Sequence, residues 1–334
     1  MQFGIIGSGS WATAIAKILT DNGSTINWWV RNEDTIQYLR KRRHNPHYLS
    51  GAYFSLAQLQ LNSNLIEVVE ASDILVVAVP SAFVEETLAQ VPAGLWKNKK
   101  IISAVKGILP SSNQLLDEYL SDQFKFPAAD YFTLLGPCHA EEVAAEKLSY
   151  LTFSGINEVA VAEVAAFFQT EYINTVVNTD LVGVQYAAVM KNIYALGAGI
   201  AHGLDYGDNF LSVYIAASAN EMCRFLRLIS KNESANFTKN NYAASVYLGD
   251  LLVTCYSLYS RNRTFGNMLG KGYSVKAAKL ELNMVAEGYN ASKCIYKANT
   301  VIQAEMPIAS TIYAILWEHL AAVEGFKQIE KYLV

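Results

Sequence analysis

The chain has 334 residues, too many for one ordinary hydrophobic core, so two domains are expected. Hydrophobic residues make up 52% and charged residues 17%, a balance that excludes a disordered chain. A net charge of -4 argues against a nucleic-acid partner, since binding a phosphate backbone shows as a basic excess.

The first element is an apolar strand at residues 2–7, followed by Gly7-Ser8-Gly9-Ser10-Trp11-Ala12, a G-x-G-x-x-A turn. A helix at 10–20 stops at Asn22-Gly23, and a second strand follows at 25–30. Strand, turn and helix in that order mark a dinucleotide-binding unit. Gly7 allows the tight turn, Gly9 lets the pyrophosphate approach the backbone, and Ala12 keeps the helix close to the strand. The second strand ends in Arg31, with Glu33 too late to hold a ribose hydroxyl. Arg31 tilts the cofactor from NAD towards NADP, whose 2′-phosphate an arginine can receive. The other reading, in which Arg31 stacks on adenine or lies in solvent, stays open. The basic run Arg40 to Arg43 reads as a solvated helix end.

Further strands are expected at 73–79, 100–105, 131–135, 148–153 and 173–177, with helices at 81–91 and 158–168 among them. Such alternation gives a mostly parallel sheet covered on both faces. Lys106, directly after a strand, is a candidate ligand residue. Gly136-Pro137-Cys138-His139 follows another strand and opens a helix at Ala140. Nothing marks Cys138 as a nucleophile, and His139 reads as a capping or packing residue rather than a general acid.

Past residue 178 no further strand is evident, and helices are expected at 181–202, 210–228, 275–283, 287–298 and 308–320. The boundary falls near 180, giving domains 1–180 and 181–334. Residues 230–241 are polar and read as an exposed loop. The apolar stretch 182–201 contains Lys191, which would cost roughly 2.5–3.5 kcal/mol at a bilayer centre, so it reads as a buried helix with no membrane insertion. On that helix Lys191 shares a stripe with Val184, Ala187, Ala188, Tyr194, Ala195 and Ala198. Burial disfavours its ammonium form and eases proton exchange, which suits protonation of a ketone oxygen. A snorkelling or structurally paired lysine is the alternative.

Residues 248–266 read as a loop that gathers hydroxyls, an acid, two arginines and an amide. Asp250 is the natural partner of Lys191, or else a cap after Gly249. Arg261 and Arg263, flanking Asn262 and preceded by Ser257 and Ser260, offer forked donors suited to a phosphate. The same groups in a solvated turn are the bland reading. The four cysteines, Cys138, Cys223, Cys255 and Cys294, include no C-x-x-C, and the histidines show no metal spacing, so neither a disulfide framework nor a metal is expected. The chain starts without a leader pattern, which makes the N-x-S/T triplets chance matches and the cytoplasm the expected compartment.

Taken in order, these pieces resemble the bacterial NAD(P)-dependent glycerol-3-phosphate dehydrogenases. The resemblance also covers Asn45-Pro46-His47-Tyr48-Leu49-Ser50-Gly51, Val77-Ala78-Val79-Pro80-Ser81, Gly249-Asp250-Leu251, Ser260-Arg261-Asn262-Arg263 and Glu287-Gly288. It implies an α/β protein with an N-terminal Rossmann-type sheet, a second all-helical domain and a homodimer. The implied reaction is reversible reduction of dihydroxyacetone phosphate to sn-glycerol 3-phosphate, supplying glycerophospholipid synthesis. Lys191 is then the proton donor, with Asp250 beside it. Lys106, Gly136, Cys138, Asn192, Asp250, Thr254, Ser260, Arg261 and Asn262 are placed with the substrate. Ser10, Trp11, Arg31, Lys106, Ala140, Arg261, Val285 and Glu287 are placed with the nucleotide. Where the family has Ser or Thr and then Phe, this chain has Cys138 and His139. Other readings are a related two-domain dehydrogenase of another small acid and an inactive nucleotide sensor.

Overall fold

The computed structural model describes residues 1–231, 241–282 and 286–333, which fall into two compact units. One contains Met1–Val105 and Gln114–Leu181; the other contains Lys106–Asn113 and Val182–Val334. The excursion Lys106–Asn113 thus groups with the second unit, which a single cut near residue 180 does not express.

The first unit begins β1 (Phe3–Ile6), α1 (Ser10–Asp21), β2 (Ile26–Trp29), α2 (Glu33–Arg42), β3 (Leu59–Asn62), α3 (Leu65–Glu70) and β4 (Ile74–Val77). It continues α4 (Ser81–Leu88), β5 (Lys100–Ser103), α5 (Leu116–Phe124), β6 (Tyr131–Leu135), α6 (Ala140–Ala144), β7 (Ser149–Ser154), α7 (Glu158–Ala166) and β8 (Ile173–Asn178). The strands form one sheet in the order β3-β2-β1-β4-β5-β6-β7-β8, parallel throughout except between β6 and β7. The mostly parallel sheet is therefore present, with β3 added to the expected strands. β1, β2 and β4 are buried along their whole length, as strands covered on both faces must be. The strand order reverses between β1 and β4, so the turn after β1 lies at the switch point where ligands of open α/β sheets bind.

The basic run behaves as expected: Arg40, Lys41 and Arg42 form the last turn of α2, and Arg43 takes the left-handed conformation that ends it. The positive side chains there complement the negative end of the helix dipole.

The second unit is helical among its described residues: α8 (Leu181–Gly203, entered from the first unit), α9 (Asp208–Lys231), α10 (Asp250–Tyr256), α11 (Arg261–Gly270), α12 (Val275–Leu282), α13 (Glu287–Ile302), α14 (Pro307–Trp317) and α15 (Ala322–Glu330). Among the described residues no helix is long and apolar enough to cross a membrane. The polar stretch from 230 begins inside α9, and its residues 232–240 lie outside the described residues. Residues 248–266, expected as a loop, form a π-helical turn (Ser245–Gly249), α10, a four-residue break and the start of α11. Ser260 caps α11 by accepting from Arg263 N at 3.3 Å, so a hydroxyl read as a ligand group also starts a helix.

α8 and α11 meet backbone to backbone. A Cβ on Gly199 of α8 would overlap the Arg263 carbonyl, and one on Gly266 of α11 would overlap the Leu196 carbonyl. Only glycine permits so close an approach, which fixes the Ser260–Arg263 stretch against the helix carrying Lys191.

Candidate active site

In the first unit the glycine turn is held from three sides. Gly7 has φ +125, and a Cβ there would stand 2.7 Å from the Ala78 carbonyl oxygen, at the end of β4. The indole of Trp28 donates to Gly7 O at 2.7 Å. Asn45, fully buried, donates to Ser8 O at 3.1 Å and to Thr13 Oγ1 at 2.9 Å, while its Oδ1 accepts from the amides of His47 and Tyr48. Its residue type alone gives no sign of this role; the Asn-Pro pair after α2 is the only local signal.

Gly9 precedes α1 without any side-chain cap, and a Cβ there would meet nothing within 4 Å. An open cradle at the start of a twelve-residue helix with no acid in its first turn fits a pyrophosphate. Ser10 is buried and Trp11 half-buried in that turn. Arg31 is exposed where β2 ends. Asn32 accepts from Asp34 N at 2.7 Å and starts α2, while Glu33 Oε1 accepts from Gln37 Nε2 at 3.0 Å along the helix. Glu33 thus has a partner one turn along its own helix. Gly136 ends β6 with φ +114, Cys138 is buried with its thiol unoxidised, and His139 stands at the N-cap of α6 through its backbone carbonyl. Ala140, the first residue of that helix, is buried.

The second unit holds the charged centre. Lys191 on α8 and Asp250, the first residue of α10, are 3% and 1% exposed and form an ion pair. Asp250 is therefore a counter-ion and not the cap of α10, which starts without a side-chain cap. Its second carboxylate oxygen, Oδ2, is buried without a partner. A buried charge is tolerated when paired, and an unsatisfied acceptor beside it has unused capacity for a donor. Thr254, one turn along α10, donates to Asp250 O at 2.6 Å. Burial pushes the Cys255 thiol up, with the charges of Lys191 and Arg263 opposing the shift, so it stays an inert thiol.

Beside the lysine, Asn192 donates to Lys106 O at 2.9 Å and to Ala188 O at 3.0 Å. Its Oδ1 accepts from Asn262 Nδ2 at 2.9 Å, and Asn262 Oδ1 accepts from Gly288 N at 2.9 Å. These two amides join α8, the Lys106 segment, α11 and the start of α13 at Glu287. Asn192 has no donor left over, and Asn262 keeps one N–H. Arg263 Nη1 donates to Tyr256 O at 2.8 Å, while Arg261 stands half-buried at the start of α11. Lys106, Lys191, Asn192, Asp250, Thr254, Ser260, Arg261, Asn262 and Glu287 thus share one unit, with Lys106 joined to it by the excursion. Gly7, Gly9, Ser10, Trp11, Arg31, Gly136, Cys138 and Ala140 lie in the other. Val285 lies outside the described residues. Among the described residues no group of three or more His, Cys, Asp or Glu side chains is arranged for a metal ion.

The family models for the N-terminus and the C-terminus of NAD-dependent glycerol-3-phosphate dehydrogenase match residues 2–161 and 180–327. The chain belongs to the NAD-dependent glycerol-3-phosphate dehydrogenase family. Among its relatives, glycerol-3-phosphate dehydrogenase [NAD(P)+] of Thermoanaerobacter sp. (strain X514) is 34% identical over 323 residues, covering 95% of this chain and 93% of the relative. The enzyme of the same name from Bacillus subtilis (strain 168) is 32% identical, covering 94% and 89%. The solved structure of glycerol-3-phosphate dehydrogenase from Coxiella burnetii superposes with a TM-score of 0.88 at 25% identity, covering 99% of this chain and 98% of that one. D-mandelate dehydrogenase, at 11% identity and a TM-score of 0.60, shares the fold alone.

Proposed function

We propose that this chain reversibly reduces dihydroxyacetone phosphate to sn-glycerol 3-phosphate with NADH or NADPH, supplying glycerophospholipid synthesis. The observation that carries the reading is the buried Lys191–Asp250 pair, next to an amide network that runs to the Lys106 carbonyl and to α11. Membership of the dehydrogenase family and the names of its relatives support the substrate.

Residues 1–180 bind the dinucleotide and 181–334 the substrate and the reacting groups. When bound, the reduced nicotinamide supplies a hydride to the ketone carbon. Gly7, Gly9, Ser10 and Trp11 hold the pyrophosphate side, and Arg31 receives the adenosine end and favours NADP. The family resemblance further assigns Ala140, Glu287, Lys106 and Arg261 to the nucleotide. Lys191 gives its proton to the carbonyl oxygen, so that carbonyl, hydride and proton make the alcohol. Asp250 holds the ammonium in place and balances its charge before transfer. Arg261 and Lys106 take the phosphate, Arg261 from the N-terminus of α11, where helix dipole and guanidinium both favour an anion. Gly136, Cys138, Thr254, Ser260, Asn192 and Asn262 are the further residues that the family resemblance assigns to the substrate. The protein acts in the cytoplasm as a homodimer.

The test follows absorbance at the nicotinamide band with dihydroxyacetone phosphate, with NADH and NADPH in parallel. Oxidation of either cofactor is expected, and none with both rejects the substrate. Faster use of NADH overturns the reading of Arg31. Lys191→Ala is expected to bind cofactor and lose turnover by orders of magnitude, and undiminished turnover removes the lysine from the mechanism.

A further inference from the structure

Behind the turn of α8 that carries Lys191 lies a second carboxylate. Glu221, on α9, is fully buried and accepts three hydrogen bonds. Ile308 N donates to Oε2 at 2.8 Å, Ala309 N to Oε1 at 2.9 Å, and the Tyr194 hydroxyl to Oε1 at 3.1 Å. Ile308 and Ala309 are in the first turn of α14, whose own N-cap, Met306, makes no side-chain cap hydrogen bond. Glu221 therefore caps α14 from another helix, satisfying amides that a Ser or Asp at Met306 would have served. The Tyr214 hydroxyl, also on α9, donates to Tyr194 O at 3.0 Å. Tyr194 is thus gripped at both its hydroxyl and its carbonyl.

An α-helix turns about 100° per residue, so Asn192 and Tyr194 lie about 100° to one side and 60° to the other of Lys191. The Asn192 side is tied to Lys106, α11 and α13. The Tyr194 side is tied to α9 and, through Glu221, to α14. Between the two ties α8 cannot roll about its axis. Rolling is the motion that would swing the lysine amine away from Asp250.

We propose that Glu221 is a positioning residue for the reaction, holding Lys191 in register through Tyr194. The proposal rests on the reading of Lys191 as the proton donor. Its need for two oxygens is specific. One oxygen takes Ile308 N while the other takes Ala309 N and the Tyr194 hydroxyl, so a glutamine must turn its NH2 towards a donor and lose at least one bond.

Glu221→Gln, Tyr194→Phe, their double variant and Lys191→Ala test this, each assayed for kcat, KM and cofactor-binding stoichiometry, which counts folded protein. Glu221→Gln and Tyr194→Phe are each expected to lower kcat per binding site about ten-fold, because small misplacement of a reacting group costs rate rather than affinity. KM for dihydroxyacetone phosphate is expected to stay within about two-fold, since the phosphate contacts are untouched. The double variant is expected to be no slower than either single one, as for two ends of one interaction. Unchanged kcat per binding site in Glu221→Gln, a loss matched by lost binding sites, or additive losses in the double variant each overturn the proposal. If Lys191→Ala keeps its turnover, the premise fails instead; if it is inactive while Glu221→Gln is fully active, only Glu221 falls.

Discussion

Replacing Asp250 with Leu leaves the Lys191 ammonium without a counter-charge in a site where both partners are almost fully buried. Removing one member of a buried ion pair costs about 3–5 kcal/mol, most of it the desolvation penalty of the stranded charge. For a unit of this size each kcal/mol moves the midpoint by about 2–4 °C, so ligand-free Asp250→Leu should melt about 6–20 °C below the parent. The Thr254 hydroxyl keeps its bond to the Asp250 backbone carbonyl and adds little to the loss. Lys191→Met combined with Asp250→Leu removes both charges and should regain most of the stability, because a matched apolar pair often packs as well as the ion pair it replaces. Neither variant should turn over substrate. Scanning calorimetry without ligand separates the outcomes. A single variant melting within 2 °C of the parent (roughly 1 kcal/mol) would refute the buried pair, and so would a double variant no more stable than the single.

Gly7→Ala places a methyl 2.7 Å from Ala78 O at a φ of +125 and should weaken nucleotide binding at least ten-fold, read by titration of tryptophan fluorescence; unchanged affinity would remove the turn from the cofactor site. Gly266→Ala drives a methyl into the Leu196 carbonyl and should lower the melting temperature and the soluble yield, whereas an unaltered melt would mean that α8 and α11 are not in backbone contact. Burial pushes the Glu221 carboxyl up to about 7 from 4.5, opposed by the amides of Ala309 and Ile308, the Tyr194 hydroxyl and, on its own helix, Arg224, which pairs with Glu305. With the folded value raised, its contribution is full below pH 4.5 and is lost as pH rises through about 7, a fall of about 3 kcal/mol. Denaturant melts across that window should show the slope in the parent and lack it in Glu221→Gln; an equal slope in both would assign it to other groups.

Where chemistry is written in local pattern, the sequence is readable. The glycine turn, the lone lysine of an apolar helix and the Ser-Arg-Asn-Arg stretch each stand out because ordinary helices and turns do not need those residues there. Most strands are legible as apolar runs. β3 is not, since only two of its four residues are buried and it lies at the edge of the sheet. Residues 248–266 show the opposite failure: the hydroxyls and glycine that suggest a loop are a helix cap and a π-helical turn. Asn45 and Glu221 are illegible for a third reason. Each serves backbone groups distant in the chain, 37 residues away for Ser8 and 87 for Ile308, and no periodicity records such a debt.

The excursion at Lys106–Asn113 means that the polypeptide passes between the two units at three separate points along its length. A fragment starting at residue 182 would therefore lack the Lys106 carbonyl that Asn192 holds, and its α8 would lose that tie. Dissecting this protein into halves by truncation should fail on the helical side, while a circular permutant that keeps the eight-residue insert attached should succeed.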